Sequence, residues 1–179
     1  MTLYTQQSKN IKKTWLLIST FLVLIIALGY LLSYWFESSI PLWIAVIYST
    51  ISSFISYWYS DKIILSISHA RPASRKDYFD LYNIVENLSI AAGLPMPKIY
   101  VMNEKSPNAF ATGRDPKHAV ICVTSGLLDI LDKTELEGVI AHELSHIGNR
   151  DILLSSVIVV LANIIALMSR WFSQSMFLG

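Results

Sequence analysis

The 179-residue chain is short of charge: Asp, Glu, Lys and Arg make up 15% of it, against 53% hydrophobic residues. An ordinary globular domain carries about 25% charged residues. This sequence has too few to wet a whole surface, which excludes both intrinsic disorder and a wholly water-soluble protein. The net charge of +1 leaves no electrostatic case for nucleic acid as a partner. Cysteine occurs once, as Cys122, so no internal disulfide holds the fold. In its apolar setting that thiol reads as buried packing. Histidine occurs four times. No internal repeat, low-complexity tract, P-loop or glycine-rich dinucleotide motif is present.

What the chain has in excess is concentrated. Trp15–Phe36 contains no charged residue, and as a helix at 1.5 Å per residue it reaches about 33 Å, enough for a hydrocarbon core of about 30 Å. Glu37 interrupts, and a second uncharged run, Ser38–Ser60, is densest over Ile40–Tyr59. The few residues between the runs make a hairpin. A third run, Ile152–Met168, sits at the short end of the spanning range. The first run is too long for a signal-peptide core and no small-residue cleavage site follows it, so it reads as an anchor. Trp15, Trp35, Trp58 and Trp171 lie near span ends, where amphipathic rings favour the headgroup layer. The expected organisation is a transmembrane hairpin in residues 1–60 (spans about 15–36 and 40–59), a water-facing domain over 61–151, and a third transmembrane segment over 152–179.

Lys9, Lys12 and Lys13 precede the first span, and Lys62, Arg71, Arg75 and Lys76 follow the second. The positive-inside rule places the N-terminus and Asp61–Asp151 in the cytoplasm. None of the three runs carries a charged side chain to line a pathway, which disfavours a metal transporter.

Within the water-facing segment, apolar residues from Phe79 to Ile90 recur near a 3.6 period and predict a helix over Lys76–Ala92, ended by Gly93. Lys98–Met102 reads as a strand, Ser106–Thr112 as a second extended piece, Gly113–Pro116 as a turn and His118–Thr124 as a returning strand. A small antiparallel sheet is expected from these pieces, followed by a short helix over Ser125–Leu131. The fold class is thus an α-helical membrane protein with an α+β cytoplasmic domain.

The next helix carries the chemistry. Thr134 and Glu137 have the spacing of a capping box. Leu136, Ile140, Leu144 and Ile147 form an apolar stripe, while Gly138, Ala141, Ser145 and Gly148 form a small-residue face on which another element could pack. His142 and His146 fall on a third face. Residues four apart on a helix stand one above the other, so two imidazoles can grip one ion. Glu143 lies beside the pair, where its carboxylate could take a proton from water. His142-Glu143-Leu144-Ser145-His146 is an H-E-x-x-H sequence, the pattern of zinc peptidases. Asp151, five residues after His146, reads either as a cap for the third span or as a hydrogen-bond partner of the site. His118 reads as a solvated turn residue and His69 as a structural or exposed one.

Beyond that motif, Pro107–Pro116 (PNAFATGRDP), Thr124–Leu131 (TSGLLDIL) and the continuation HELSHIGNRD to Asp151 resemble the HtpX-type membrane zinc peptidases, relatives of the CAAX prenyl proteases. The resemblance covers nearly the whole chain and implies a zincin-like domain. It implies His142 and His146 as ligands of one Zn²⁺ per chain and Glu143 as general base. Asn108, Ala109, Phe110 and Ala111 become a strand that holds substrate beside the cleft, or else an ordinary sheet strand with Phe110 in the core. The family's third ligand is a glutamate on a later helix, which here falls beyond Gly179; a truncated chain with weak zinc binding is expected. The implied function is cleavage of membrane-protein or unfolded polypeptide substrates at the bacterial inner membrane, in quality control and stress response. The alternative is a catalytically inactive membrane-anchored interaction protein or fragment.

Overall fold

In a computed structural model, which describes residues 3–177, two long helices come first: α1 (Leu3–Trp35) and α2 (Ile40–Ile67). Both are long and apolar enough to cross a membrane. They pack against each other as a hairpin with Pro41 in the first turn of α2, where its missing N–H costs no helical hydrogen bond. Gly29 lets the helices approach: a Cβ there would collide with Ala45. Small residues at such contacts are how helices pack without a hydrophobic drive between them.

The chain then forms β1 (Arg71–Pro72), α3 (Phe79–Ala92), β2 (Lys98–Met102), β3 (Ala109–Thr112), a 3₁₀ turn at Pro116–His118, β4 (Val120–Thr124), α4 (Ser125–Ile130), α5 (Lys133–Asn149) and α6 (Ile152–Phe177). The helix expected from Lys76 begins at Phe79, because Ser74 gathers the preceding residues into a turn: its carbonyl accepts from the Asp77 and Tyr78 amides and its hydroxyl from that of Lys76. Gly93 ends α3 in the left-handed conformation (φ 64°). Leu81, Ile84 and Val85 are buried, while Phe79 and Ile90, counted in the apolar stripe, face outward.

The sheet has strand order β1-β2-β4-β3 and is mixed, not antiparallel as expected. β2 and β4 are parallel, with Ile99 opposite Ile121; β3 and β4 are antiparallel, with Phe110 opposite Cys122. After β2 the loop 103–108 carries the chain one strand-width too far for a hairpin, and β4 returns through the gap. The sequence carries the reason. Val120–Thr124 is buried at every position, as befits a central strand covered on both faces. On one face Ile121 and Val123 join the main core with Val85, Ile140 and Ile147. On the other, Val120 and Cys122 pack with Leu65 of α2. Burial pushes the Cys122 thiol up to about 12, as its packing role requires.

The cap of α5 lies two residues earlier than expected. Asp132 Oδ1 accepts from the Glu135 amide (2.9 Å) and Glu135 Oε2 from the Asp132 amide (3.0 Å), so the capping box is Asp132–Glu135, not Thr134–Glu137. Two overlapping patterns of the same spacing stand in the sequence, and the earlier one supplies a carboxylate acceptor at the positive helix end. Of the small-residue face only Gly148 meets a neighbour, Leu94, among the described residues: Gly138 faces open space, and Ala141 and Ser145 are exposed. Arg150 adopts a left-handed conformation (φ 56°) at the end of α5, and α6 leaves at 89° to it. The apolar stretch Ile152–Leu167 reaches about 24 Å, short of a hydrocarbon core of about 30 Å, so among the described residues the third span expected from the sequence does not reach spanning length by itself. It packs on α2 and α1. The Trp171 side chain and Gly179 lie outside the described residues.

Candidate metal centre

The apolar stripe of α5 points its other faces by default. With Leu136, Ile140, Leu144 and Ile147 in the core, His142 and His146 are left at the surface, one turn apart. Their rings meet edge to face, centroids 4.7 Å apart, and the two Nε2 atoms are 3.1 Å apart. Two nitrogens on a tetrahedral zinc, each about 2.0–2.1 Å from it, sit roughly 3.3–3.4 Å from one another. The pair therefore fits two adjacent coordination positions with almost no rearrangement. His146 Nδ1 is 2.9 Å from Asp151 Oδ2; with Nδ1–H donating to that carboxylate the ring is oriented and the Nε2 lone pair is left facing outward, the arrangement ligating histidines favour. Asp151 precedes α6, and its carbonyl accepts the first helical bond from the Ser155 amide, but its carboxylate goes to the imidazole. Of the two readings of Asp151, the hydrogen-bond partner is the one its side chain adopts. No group of three potential ligands occurs among the described residues.

Glu143, between the two histidines in sequence, bonds to the Ala111 backbone of β3 and is only 9% exposed. Burial pushes its carboxyl up from the ordinary value; the His146 and His142 rings and a hydrogen bond from the Ala111 backbone pull it back only in part. A carboxylate poised nearer to neutral is better matched to moving a proton.

The Ala111 bond follows from the sheet. The Asn108 carbonyl accepts from the Thr124 amide at 3.0 Å, which fixes that pair as hydrogen-bonded. Antiparallel alternation then commits Phe110 and Thr112 to β4 and turns the N–H and C=O of Ala109 and Ala111 toward the open edge. Of the four residues expected to hold substrate, Ala109 and Ala111 thus turn their backbone away from β4, the Ala111 amide being already bonded to Glu143. Asn108 and Phe110 spend theirs on β4, and the Phe110 side chain packs near Leu65, Val120 and Cys122. The Phe110 side chain takes the place the ordinary-strand reading gives it, in the packing of the sheet. His118 joins Asp115 and Arg114 instead of the pair, and His69 is exposed.

Two residues that place the site carry no sequence signal of that role. Gln7 Nε2 donates to the Gly148 carbonyl (2.7 Å) and Asn10 Nδ2 to that of Asn149 (3.0 Å). Helix C-termini leave carbonyls without intrahelical partners, and here α1 satisfies two of them. A third tie joins the edge strand to α6: the Thr112 and Ser156 hydroxyls are 2.7 Å apart and buried.

A family model described as Peptidase family M48 matches residues 76–176, which contain the sheet, the histidine helix and the bend into α6. The chain belongs to peptidase family M48. Within that family it is similar to the HtpX type: it is 48% identical over 99% of its length to a protease HtpX homolog of Caldanaerobacter subterraneus subsp. tengcongensis, and 46% identical over 99% to one of Thermoanaerobacter pseudethanolicus. It is also 46% identical, over 87% of its length, to a protease HtpX homolog of Thermococcus sibiricus. The chain spans 60% of the first two relatives and 52% of the third. The M48 match includes both histidines, Glu143, Asp151 and β3, whereas Gln7 and Asn10 fall outside it.

Proposed function

We propose that this chain carries the catalytic core of a membrane-anchored zinc endopeptidase. The observation that bears most on it is the 3.1 Å approach of the His142 and His146 Nε2 atoms beside a buried carboxyl, Glu143. Zinc, when bound, lowers the pKa of water to about 7 and polarises a carbonyl oxygen. His142 and His146 would hold it, Asp151 fixing the tautomer of His146. A third protein ligand would come from outside the described residues; the resemblance to HtpX-type peptidases makes that a glutamate. Glu143 would accept a proton from water and return it to the leaving amine, its carboxyl kept within reach by the Ala111 N–H. A peptide added in extended form along β3 would pair with the Ala109 N–H and C=O and the Ala111 C=O, so that main-chain bonds supply affinity with little demand on sequence.

The hairpin supplies the location. Because Gln7 and Asn10 bond to the end of α5, the lysine-bearing N-terminus and the histidine helix lie on one side of the spans. By the positive-inside rule that side is the cytoplasm. His146 is one turn from the end of α5, and the chain bends straight into α6, so the site works close to the bilayer surface of a bacterial plasma membrane. Cytoplasmic loops and tails of misassembled membrane proteins are the substrates such a site reaches first.

Glu143→Gln in the complete gene product tests this against a non-catalytic anchor. Zinc content should be unchanged while cleavage of a membrane-protein substrate falls by about 10²–10⁴-fold. Undiminished cleavage would refute the assignment.

A further inference from the structure

Away from the histidine pair, the cytoplasmic end of α2 meets the turn between β3 and β4 in a cleft of about 490 Å³. Four cations line it, Lys62, Lys98, Arg114 and Lys117, against one lining carboxylate, Asp61. One wall is aromatic: the Arg114 guanidinium lies over the Trp58 ring, 4.6 Å from its centroid, and the Lys62 ammonium 5.1 Å from that of Tyr59. The three lysines are exposed and none has a carboxylate partner among the described residues. The nearby acid, Asp115, is already engaged: its Oδ1 accepts from the Lys117 and His118 amides and lies 2.8 Å from His118 Nδ1, while its Oδ2 is 3.4 Å from Arg114 Nε. Asp115 thus shapes the turn and sets Arg114 against Trp58 instead of neutralising the lysines. Arg114 Nη2 is also 2.9 Å from His118 Nε2.

The position of the cleft names its occupant. On the reading of α2 as a span, the uncharged run ends at Ser60, so Trp58 and Tyr59 sit at headgroup depth and Lys62 one turn beyond, with Arg114 and Lys117 reaching toward the same level from the sheet. Phe54, one turn deeper on the same wall, is exposed to the lipid side. Cations above, aromatic rings at the interface and an apolar floor match an anionic phosphodiester whose acyl chains run along α2. We propose that this cleft is a headgroup site for an anionic phospholipid, holding the sheet domain down on the bilayer. A juxtamembrane lysine contributes about fivefold in affinity for such a surface, and the aromatic wall fixes depth.

The test uses the full chain reconstituted in phosphatidylcholine vesicles, then extracted in neutral detergent and titrated with phosphatidylglycerol, phosphatidylcholine or inorganic phosphate, bound lipid being counted by native mass spectrometry. Retention in the vesicles after a carbonate wash reads the span itself; release would overturn the span and the headgroup site with it. With retention, phosphatidylglycerol should bind at least tenfold more tightly than phosphatidylcholine, and inorganic phosphate at millimolar concentration should not displace it. Lys62→Gln with Lys117→Gln should weaken phosphatidylglycerol binding roughly thirtyfold, Lys62→Arg with Lys117→Arg should restore it, and Lys9→Gln with Lys12→Gln should leave it unchanged. Equal affinity for the two lipids, an unaffected glutamine pair, or ready displacement by inorganic phosphate (the mark of a soluble-phosphate site) would each overturn the proposal.

Discussion

In the hairpin, α2 buries Ser49, Ser52, Ser53, Ser56 and Ser60 and turns Trp43, Ile44, Ile47 and Phe54 outward. In the sheet domain, Ile121, Val123, Ile140 and Ile147 are wholly buried, while Lys98, Lys117 and Glu135 face out. The same residue types are sorted in opposite senses, as the proposed reading of the hairpin as a pair of membrane spans requires of two regions in different solvents. Water expels apolar side chains into a core. Lipid does not distinguish Ile from its own tails, so the helix contact is left to small residues that let backbones close up.

The contrast can be broken by equivalent truncations. Ile140→Ala opens a cavity in the sheet domain and should cost about 2–5 kcal/mol, whereas Leu24→Ala on the exposed face of α1 should cost well under about 1 kcal/mol in lipid. Thermal denaturation of the reconstituted protein compares the two; similar losses would mean that α1 is packed in a core. The inverse change sharpens the same point. Ser56 is fully buried and its hydroxyl bonds to the Ser52 carbonyl (2.7 Å), so Ser56→Leu overfills the hairpin and should destabilise it by about 1–3 kcal/mol, although it makes the span more apolar. A gain in hairpin stability would deny that small residues set the approach of the helices.

Gln7 and Asn10 join the two regions, and their loss should be felt at the junction. Gln7→Ala with Asn10→Ala removes two hydrogen bonds to carbonyl ends of α5, about 1–2 kcal/mol together. Hydrogen exchange should rise at Gly148–Asn149 and stay unchanged at Ile121–Val123; a uniform rise would show no local coupling. The smallest effect is confined to the surface of the sheet domain. Burial works to raise the Asp115 carboxyl, but the His118 ring and the turn amides outweigh it and leave the group below its ordinary value. A carboxyl depressed in the folded state stabilises above its unfolded pKa, near 3.8, and loses that contribution as pH falls through the folded value. Asp115→Asn should therefore lower the Tm at pH 7 and converge with the parent in strong acid.

The two long apolar helices and the placing of the histidines were legible because each rests on a local rule. An apolar helix shows as uncharged length, and a surface pair of rings shows as a spacing of four on one helix. Gly93 ended its helix as expected, and Cys122 is the packed thiol its neighbours implied. The sheet was misread because strand order is not local: Lys98–Met102 and Val120–Thr124 pair in parallel across a loop and an edge strand, and only the unbroken burial of β4 hinted at a central place. The cap was misread because Asp132–Glu135 and Thr134–Glu137 offer the same spacing two residues apart. Gln7 and Asn10 were invisible since their partners, Gly148 and Asn149, lie some 140 residues away. Asp151 was ambiguous from sequence because its backbone starts α6 while its carboxylate turns back to His146.

Metal content decides the central assignment. The complete gene product, purified without chelator and measured by plasma mass spectrometry, should carry about one zinc ion per chain. His142→Ala with His146→Ala should carry none while keeping the parent's circular dichroism. Zinc retained at parental stoichiometry in that double variant, or none in the parent, would contradict a metal centre built on this pair of rings.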